Sequence, residues 1–351
     1  IYTDAELLFQ AVRATGSRAR FVGITGTNGK STTTALIAHI LTLAGRPVQA
    51  GANLGPAALA LCPLDHNGLY VLEMSSYMLE RIASLRFDAA VMLNLSPDHL
   101  ERHGDMAGYA DAKRAIFDRQ AFGDLAVVGT DDPASQAMAA DRGAITVSGA
   151  HSADVWCDNG ILRDADGPIL NMAEAVALPG KHNGQNAAAA AAVALYLGVD
   201  RATLAQGIRT FPGLPHRQEL VATVDGVPYV NDSKGTNADA TACALACYDR
   251  IVWIAGGVSK SGGIAALAEY FPRIAHTLLI GRDAPMLAEQ LGDTPHEIVG
   301  TLEQAVPAAR AAAARTGAQV VLLSPACASF DQFSGFPARG ERFAELARGL
   351  A

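Results

Sequence analysis

Charge is scarce in this 351-residue sequence: only 18% of it is Asp, Glu, Lys or Arg, and 27 basic residues against 35 acidic ones leave a net charge of −8. Nucleic-acid binding needs a lysine- and arginine-rich face, so this balance argues against it. The five cysteines, Cys62, Cys157, Cys243, Cys247 and Cys327, are widely spread and form no C-x-x-C pair. Neither a disulfide framework nor a zinc site is indicated, and a reducing cytoplasm suits them. Cys243 and Cys247 would share one helix face as small apolar fillers. Apolar runs stop short of the ~18 residues that span a bilayer, so no membrane partner is expected, and the opening residues do not read as a signal peptide. No segment repeats at a fixed period. What remains is a half-hydrophobic composition, that of a compact acidic enzyme, here expected to be a monomer of two or three domains at roughly 150 residues each. Because the sequence starts at Ile1, processing or an upstream segment is expected.

Along the chain, short apolar strands alternate with helical stretches. Strands are predicted at 21–25 (FVGIT), 70–74 (YVLEM), 89–95 (AAVMLNL) and 125–130 (LAVVGT), with a helix from Lys30 to Ala44 ended by Gly45. Residues 145–179 are less regular and read as short antiparallel strands and turns. An alanine-rich helix, buried by its all-apolar face, is predicted over 183–197. RTFPGLPHR at 209–217 breaks the pattern. A second unit follows, with strands at VPYVND, IVWIAGG, TLLIG and VVLLSP and helices from about Asp239, from about Ala284 and over 302–316. This alternation predicts an α/β fold with mainly parallel sheets covered on both faces.

One stretch carries chemistry on its own. GITGTNGKSTTT places a glycine-rich loop between a buried strand and a helix. The backbone N–H groups of Gly26, Thr27, Asn28 and Gly29, with the positive end of the helix behind them, suit phosphate oxygens. Lys30 would reach the outer phosphates, and Ser31 or Thr32 would ligate Mg2+. The spacing departs from G-x-x-x-x-G-K-[ST], since Ile24 stands where the first glycine belongs; a purely structural glycine turn is the plainer alternative. Glu73, Asn94 and His99 fall at or just after strand ends, where open parallel sheets hold ligands. A carboxylate buried at Glu73 would need a cation, although a helix cap or salt bridge would also account for it. Taken alone, His99 is a hydrogen-bonding loop residue and Lys113, in YADAKRAIF, a solvated helix lysine.

The blocks GTNGKST, LEMSSYMLE, NLSPDHLERHG, GKHNGQNAAAA, GLPHR, NDSKGTN and LSPACASFDQF occur in this order from about residue 20 to the end. Together they closely resemble the Mur ligases, and the last two favour members that add D-glutamate. The resemblance implies a P-loop-type ATPase domain over 1–212, with 1–20 as residual linker, and a smaller Rossmann-like, amino-acid-binding domain over 213–351. The family's amino-terminal UDP-binding domain is expected to be missing here. The implied activity is ATP-dependent amide formation between UDP-N-acetylmuramoyl-L-alanine and D-glutamate through an acyl phosphate, in cytoplasmic peptidoglycan precursor synthesis.

By the same resemblance, Lys30 stabilises the transferring phosphoryl group and Ser31 with Glu73 holds one Mg2+. His99 ligates a second Mg2+ together with Lys113, which carries a CO2-derived carbamate. Asn53 lies near the γ-phosphate and the substrate carboxylate. Asn183 and Asn186 touch the adenine, while Arg217 and Asp232 contact ribose and phosphates. Lys234, Thr236, Lys260, Ser329, Phe330 and Phe336 form the amino-acid pocket. Ser259 and Ser261 flank Lys260 where the family often has an acid. A folylpolyglutamate synthetase-like ligase, or a nucleotide-binding module without ligase activity, remain the alternatives.

Overall fold

Apolar residues without polar alternation, as in FVGIT, make strands buried on both faces, and the first such strand lies inside a nine-stranded sheet. The computed structural model describes residues 1–140, 143–260 and 262–351. The chain divides into two compact units, Ile1–Pro212 and Gly213–Ala351.

In the first unit the strands are β1 (Arg20–Thr25), β2 (Val48–Ala52), β3 (Leu69–Glu73), β4 (Ala89–Met92), β5 (Leu125–Gly129), β6 (Ile145–Ser148), β7 (Val155–Asp158), β8 (Ile161–Asp164) and β9 (Gly167–Asn171). Their order is β2-β3-β1-β4-β5-β6-β7-β8-β9. Pairing is parallel from β2 to β7 and antiparallel for β8 and β9. The expectation that the whole 145–179 stretch is antiparallel is therefore corrected at β6. This strand overlaps β7 by two residue pairs only, Val147 with Val155 and Ser148 with Trp156, so the short link has little length to recover before the chain resumes the same direction.

The helices of this unit are α1 (Asp4–Ala14), α2 (Lys30–Leu43), α3 (Ser76–Leu79), α4 (Leu100–His103), α5 (Met106–Arg114), α6 (Pro133–Ala140), α7 (His182–Tyr196) and α8 (Arg201–Thr210). Both α7 and α8 pack on α2. Ala187–Ala191 of α7 are fully buried, and a Cβ on Gly207 of α8 would come within 2.8 Å of Ile40. Small residues thus set both helix contacts.

Residues 1–20, expected as a linker, instead contain α1. Thr3 caps it by accepting from the Glu6 N–H, and Ala5, Leu8 and Val12 enter the core. Glu6 is itself fully buried. Its carboxylate accepts from the N–H groups of Ala83, Ser84 and Leu85, from Gln10 Nε2 and from the Ser84 hydroxyl. Burial alone would raise this carboxyl, but the hydrogen bonds from Ser84, Ala83 and Leu85 outweigh it and bring it down to about 2. Glu6→Ala leaves buried donors unpaired and is expected to cost about 3 kcal/mol, measurable by urea denaturation. In the intact chain the contribution is present above the ordinary glutamate range and is lost as pH falls toward about 2.

The second unit holds β10 (Glu219–Val224), β11 (Val227–Asn231), β12 (Ile251–Gly256), β13 (Val258–Ser259), β14 (Ile274–Ile280), β15 (His296–Gly300), β16 (Val320–Leu323) and β17 (Cys327–Ala328), with helices α9 (Ala238–Leu245), α10 (Ala284–Leu291), α11 (Leu302–Thr316) and α12 (Phe336–Arg348). Its six-stranded sheet runs β10-β11-β16-β12-β14-β15, parallel except for β10. β13 and β17 form a separate two-stranded antiparallel ladder. The carboxyl ends of β11, β16 and β12 therefore lie side by side, the position at which doubly wound sheets hold ligands. Among the described residues no helix is long and apolar enough to cross a membrane.

Candidate active site

The loop after β1 is built by two glycines with left-handed backbones, Gly26 at φ +143° and Gly29 at φ +82°. Gly29 stands at the start of α2 with no side chain to cap it, and the positive end of a helix favours an anionic ligand. A Cβ at Gly29 would fall 2.2 Å from Asn186 Oδ1, so glycine is required there on both counts. Asn94 straps the loop down. Its carbonyl accepts from Thr27 N–H at 2.8 Å, its Oδ1 accepts from Asn28 N–H at 2.8 Å, and its Nδ2 donates to Asn28 O and Gln185 Oε1. Asn94, expected as a candidate ligand, instead uses its side chain to hold the loop. Ser31 is buried and Thr32 half-buried. Asn186 donates to Asn183 Oδ1 at 2.9 Å and accepts from the Thr33 hydroxyl, while Asn183 Nδ2 donates to Pro179 O at 2.6 Å. The two asparagines hold each other and the helix behind the loop.

Two lysines converge on one carbonyl. Lys30 Nζ donates to Gly26 O at 3.0 Å and Thr27 O at 2.7 Å, and Lys113 Nζ donates to the same Gly26 O at 2.8 Å. Lys113 is 2% exposed, which overturns the solvated-lysine expectation drawn from the residue alone. Its ammonium lies 4.8 Å from the centre of the Tyr109 ring, one helical turn back on α5. Burial, and then the charge of Lys30, push Lys113 down to about 6, against the opposing pull of Asp98 and Glu73. The buried site thus favours the uncharged form of its amine.

Glu73, at the end of β3, is buried. Its Oε1 accepts from Asn53 Nδ2 at 2.6 Å, while its Oε2 has no hydrogen-bond partner among the described residues. A buried carboxylate oxygen without a donor fits a cation. Among the described residues no group of three His, Cys, Asp or Glu side chains could hold a metal unaided. A magnesium ion held by the Ser31 hydroxyl and Glu73 would therefore complete its shell with phosphate oxygens and water, as Mg2+ ordinarily does. His99, at φ +54°, faces the Tyr77 hydroxyl at 3.1 Å and lies 3.6 Å from Asp98 and Glu101. Tyr109, which also meets the Thr27 hydroxyl at 3.3 Å, and Asp98 escaped the sequence reading. For Tyr109, the four-residue spacing to Lys113 was the available signal.

In the second unit, Asp232 follows β11 and is buried. Burial raises its carboxyl to about 7, although the Ser324 hydroxyl, donating at 2.7 Å, and the charge of Arg217 pull the other way. Lys234 Nζ lies 5.3 Å from the centre of the Phe336 ring, and Thr236 N–H donates to Lys234 O. Ser329 is buried, whereas Phe330 is 74% exposed and Lys260 is exposed. The β13–β17 ladder pairs Ser259 with Cys327 and Val258 with Ala328, so Lys260 and Ser329 leave opposite ends of it. Asp283 Oδ2 accepts from Ser259 N–H at 2.7 Å, bringing a carboxylate to this corner from a distant part of the chain; Ser261 lies outside the described residues.

A left-handed glycine loop on a parallel strand, with lysines gathered at a helix start, defines a nucleotide-phosphate-binding α/β protein. The Mur ligase middle domain matches residues 24–194. The UDP-N-acetylmuramoylalanine–D-glutamate ligase of Paramagnetospirillum magneticum is 48% identical over 357 residues, covering 99% of this chain and 77% of that protein. Its counterpart in Rhodospirillum rubrum is 50% identical over 370 residues, covering 100% and 76%. The MurF ligase of Thermotoga maritima, solved in complex with ADP, superposes with a TM-score of 0.72 at 19% identity over 100% of this chain and 84% of that one. MurC from the same organism superposes at 0.69 with 18% identity, over 98% and 79%. The chain belongs to the Mur ligase family, as an ATP-dependent ligase of peptidoglycan precursor synthesis. Its mainly parallel α/β sheets are of the class the sequence predicts.

Proposed function

We propose that this ligase joins the amine of D-glutamate to the carboxylate of UDP-N-acetylmuramoyl-L-alanine, in the cytoplasm and as a monomer. The γ-phosphoryl group of ATP passes to the carboxylate oxygen, giving an acyl phosphate and ADP. The amine then attacks the acyl carbon, phosphate leaves, and the nitrogen gives up a proton. Both steps gather negative charge on oxygen, and the observation that carries the reading is the Lys30 ammonium folded back over Gly26 O and Thr27 O beside the loop amides, with Lys113 buried against the same Gly26 O. Lys30 stabilises charge on the transferring group. Glu73 and Ser31 would hold the first Mg2+, with Asn53 donating to Glu73. Bound Mg2+ supplies neutralisation of the phosphate oxygens.

The uncharged amine of Lys113 suits reaction with CO2, which forms an N–C bond, releases a proton and leaves an anionic carbamate; with His99 this would hold the second Mg2+. Asn183, Asn186, Arg217 and Asp232 serve the nucleotide. Lys234, Thr236, Lys260, Ser329, Phe330 and Phe336 serve the amino acid, whose two carboxylates call for cations and N–H donors. Incubation with ATP, Mg2+, the muramoyl-alanine substrate and either enantiomer of glutamate tests this. ADP release and an amide product by mass spectrometry are expected with D-glutamate; preference for L-glutamate, or ADP release independent of amino acid, overturns the assignment.

A further inference from the structure

Arg339, in the first turn of α12, is 1% exposed. Its Nε donates to the Ser233 hydroxyl at 3.0 Å, and its Nη2 donates to Ser233 O at 2.9 Å and Cys327 O at 3.1 Å. Nη1 lies 3.4 Å from Gly256 O. The Ser233 hydroxyl donates in turn to Phe336 O at 2.9 Å, which closes a ring back to the start of α12. Three of the four acceptors are main-chain carbonyls and none is a carboxylate, so this guanidinium grips backbone positions. Desolvating it is expensive, and a core that needed only filling would use an apolar side chain.

The four acceptors belong to three residues, each at a different strand end. Ser233 follows β11 and immediately precedes Lys234. Gly256 ends β12 and leads through β13 to Lys260. Cys327 opens β17, two residues before Ser329. The planar fork of an arginine can hold three such loops at fixed separations, which a lysine ammonium cannot.

We infer that Arg339 is a positioning residue for amino-acid recognition: it sets the spacing of the loops bearing Lys234, Lys260 and Ser329, and so the spacing of carboxylates they accept. This rests on the function proposed above. The side chain need not touch the ligand. Its effect is on where the groups that do so are held, so the contribution should appear in amino-acid affinity and in discrimination by carboxylate spacing.

The test is steady-state kinetics of the full chain carrying Arg339→Lys, with far-ultraviolet circular dichroism to establish folding. The KM for D-glutamate is expected to rise about 10-fold or more, with the KM for ATP within about twofold and a reduced preference for D-glutamate over D-aspartate. Ser233→Ala, which removes one acceptor and keeps the arginine, should move the D-glutamate KM the same way by about threefold, and decides the matter if the lysine variant does not fold. An unchanged D-glutamate KM in a folded variant, or equal rises for both substrates, overturns the proposal. Absence of D-glutamate-dependent ADP release in the unsubstituted enzyme would instead overturn the functional reading on which it rests.

Discussion

Lys30→Ala is expected to lower turnover by about 100-fold or more, the usual consequence of removing a preorganised donor from a site where charge develops. The stem of Lys30 rises from the first residue of α2 and folds back, so that its ammonium sits over Gly26 O and Thr27 O. That position is fixed by the helix start and by the two left-handed glycines, and a phosphoryl group resting on the loop amides would lie within its reach. Part of the interaction exists before phosphoryl transfer, so the KM for ATP should also rise; the loss in kcat is the part that reports the transition state. Near-normal kcat in a folded Lys30→Ala enzyme would refute the assignment.

Removing Lys113 should separate activity from stability. Lys113→Ala is expected to lose turnover to a similar extent, about 100-fold, and short carboxylic acids such as acetate should restore part of it by supplying the missing anionic oxygens. No rescue, together with an unmodified lysine in the mass spectrum of the intact enzyme, would count against the carbamate. Stability should move the other way. A lysine held near 6 when folded and in its ordinary range when unfolded binds fewer protons in the native state throughout that interval. The unmodified chain therefore gains stability as pH rises from about 6 toward 10. Lys113→Met removes this dependence, so its melting temperature should exceed that of the parent near pH 6, with the difference shrinking as pH rises. A gain that grows with pH would contradict the burial argument.

Much of the fold was legible because its central strands are apolar runs and several of its helices, such as α2, α7 and α11, end at or just before a glycine. The phosphate loop announced itself through Gly29, Lys30 and Ser31 at a helix start. What escaped was of three kinds. α1 had its signals, Thr3 before Asp4 and Glu6, but the proximity of the loop made the segment look like a connector. β2, β10 and β15 are edge strands, with exposed Leu220 and Ile298 in the last two, and an edge strand lacks the continuous apolar run that marks a central one. α12 opens on Phe336 and Pro337 with a charged outer face, and of its residues only Phe336 is anticipated, as part of the amino-acid pocket. At the site, the burial of Lys113 could not be seen from α5 alone, because which face of a helix is covered depends on neighbours far away in sequence. The straps on the loop, Asn94 and Gln185, and the clamp at Arg339 are likewise products of tertiary contact.

The alanines of α7 and Gly207 of α8 have a consequence for the accuracy of the phosphate loop. Side chains without rotamers lose no conformational freedom when covered and offer no alternative way to interlock. α2 is therefore seated between neighbours that admit one separation and one axial position, and the direction of the amides at its first turn is inherited from that seating. The fine alignment of the loop is thus set two and three turns away, by the smallest residues in the unit.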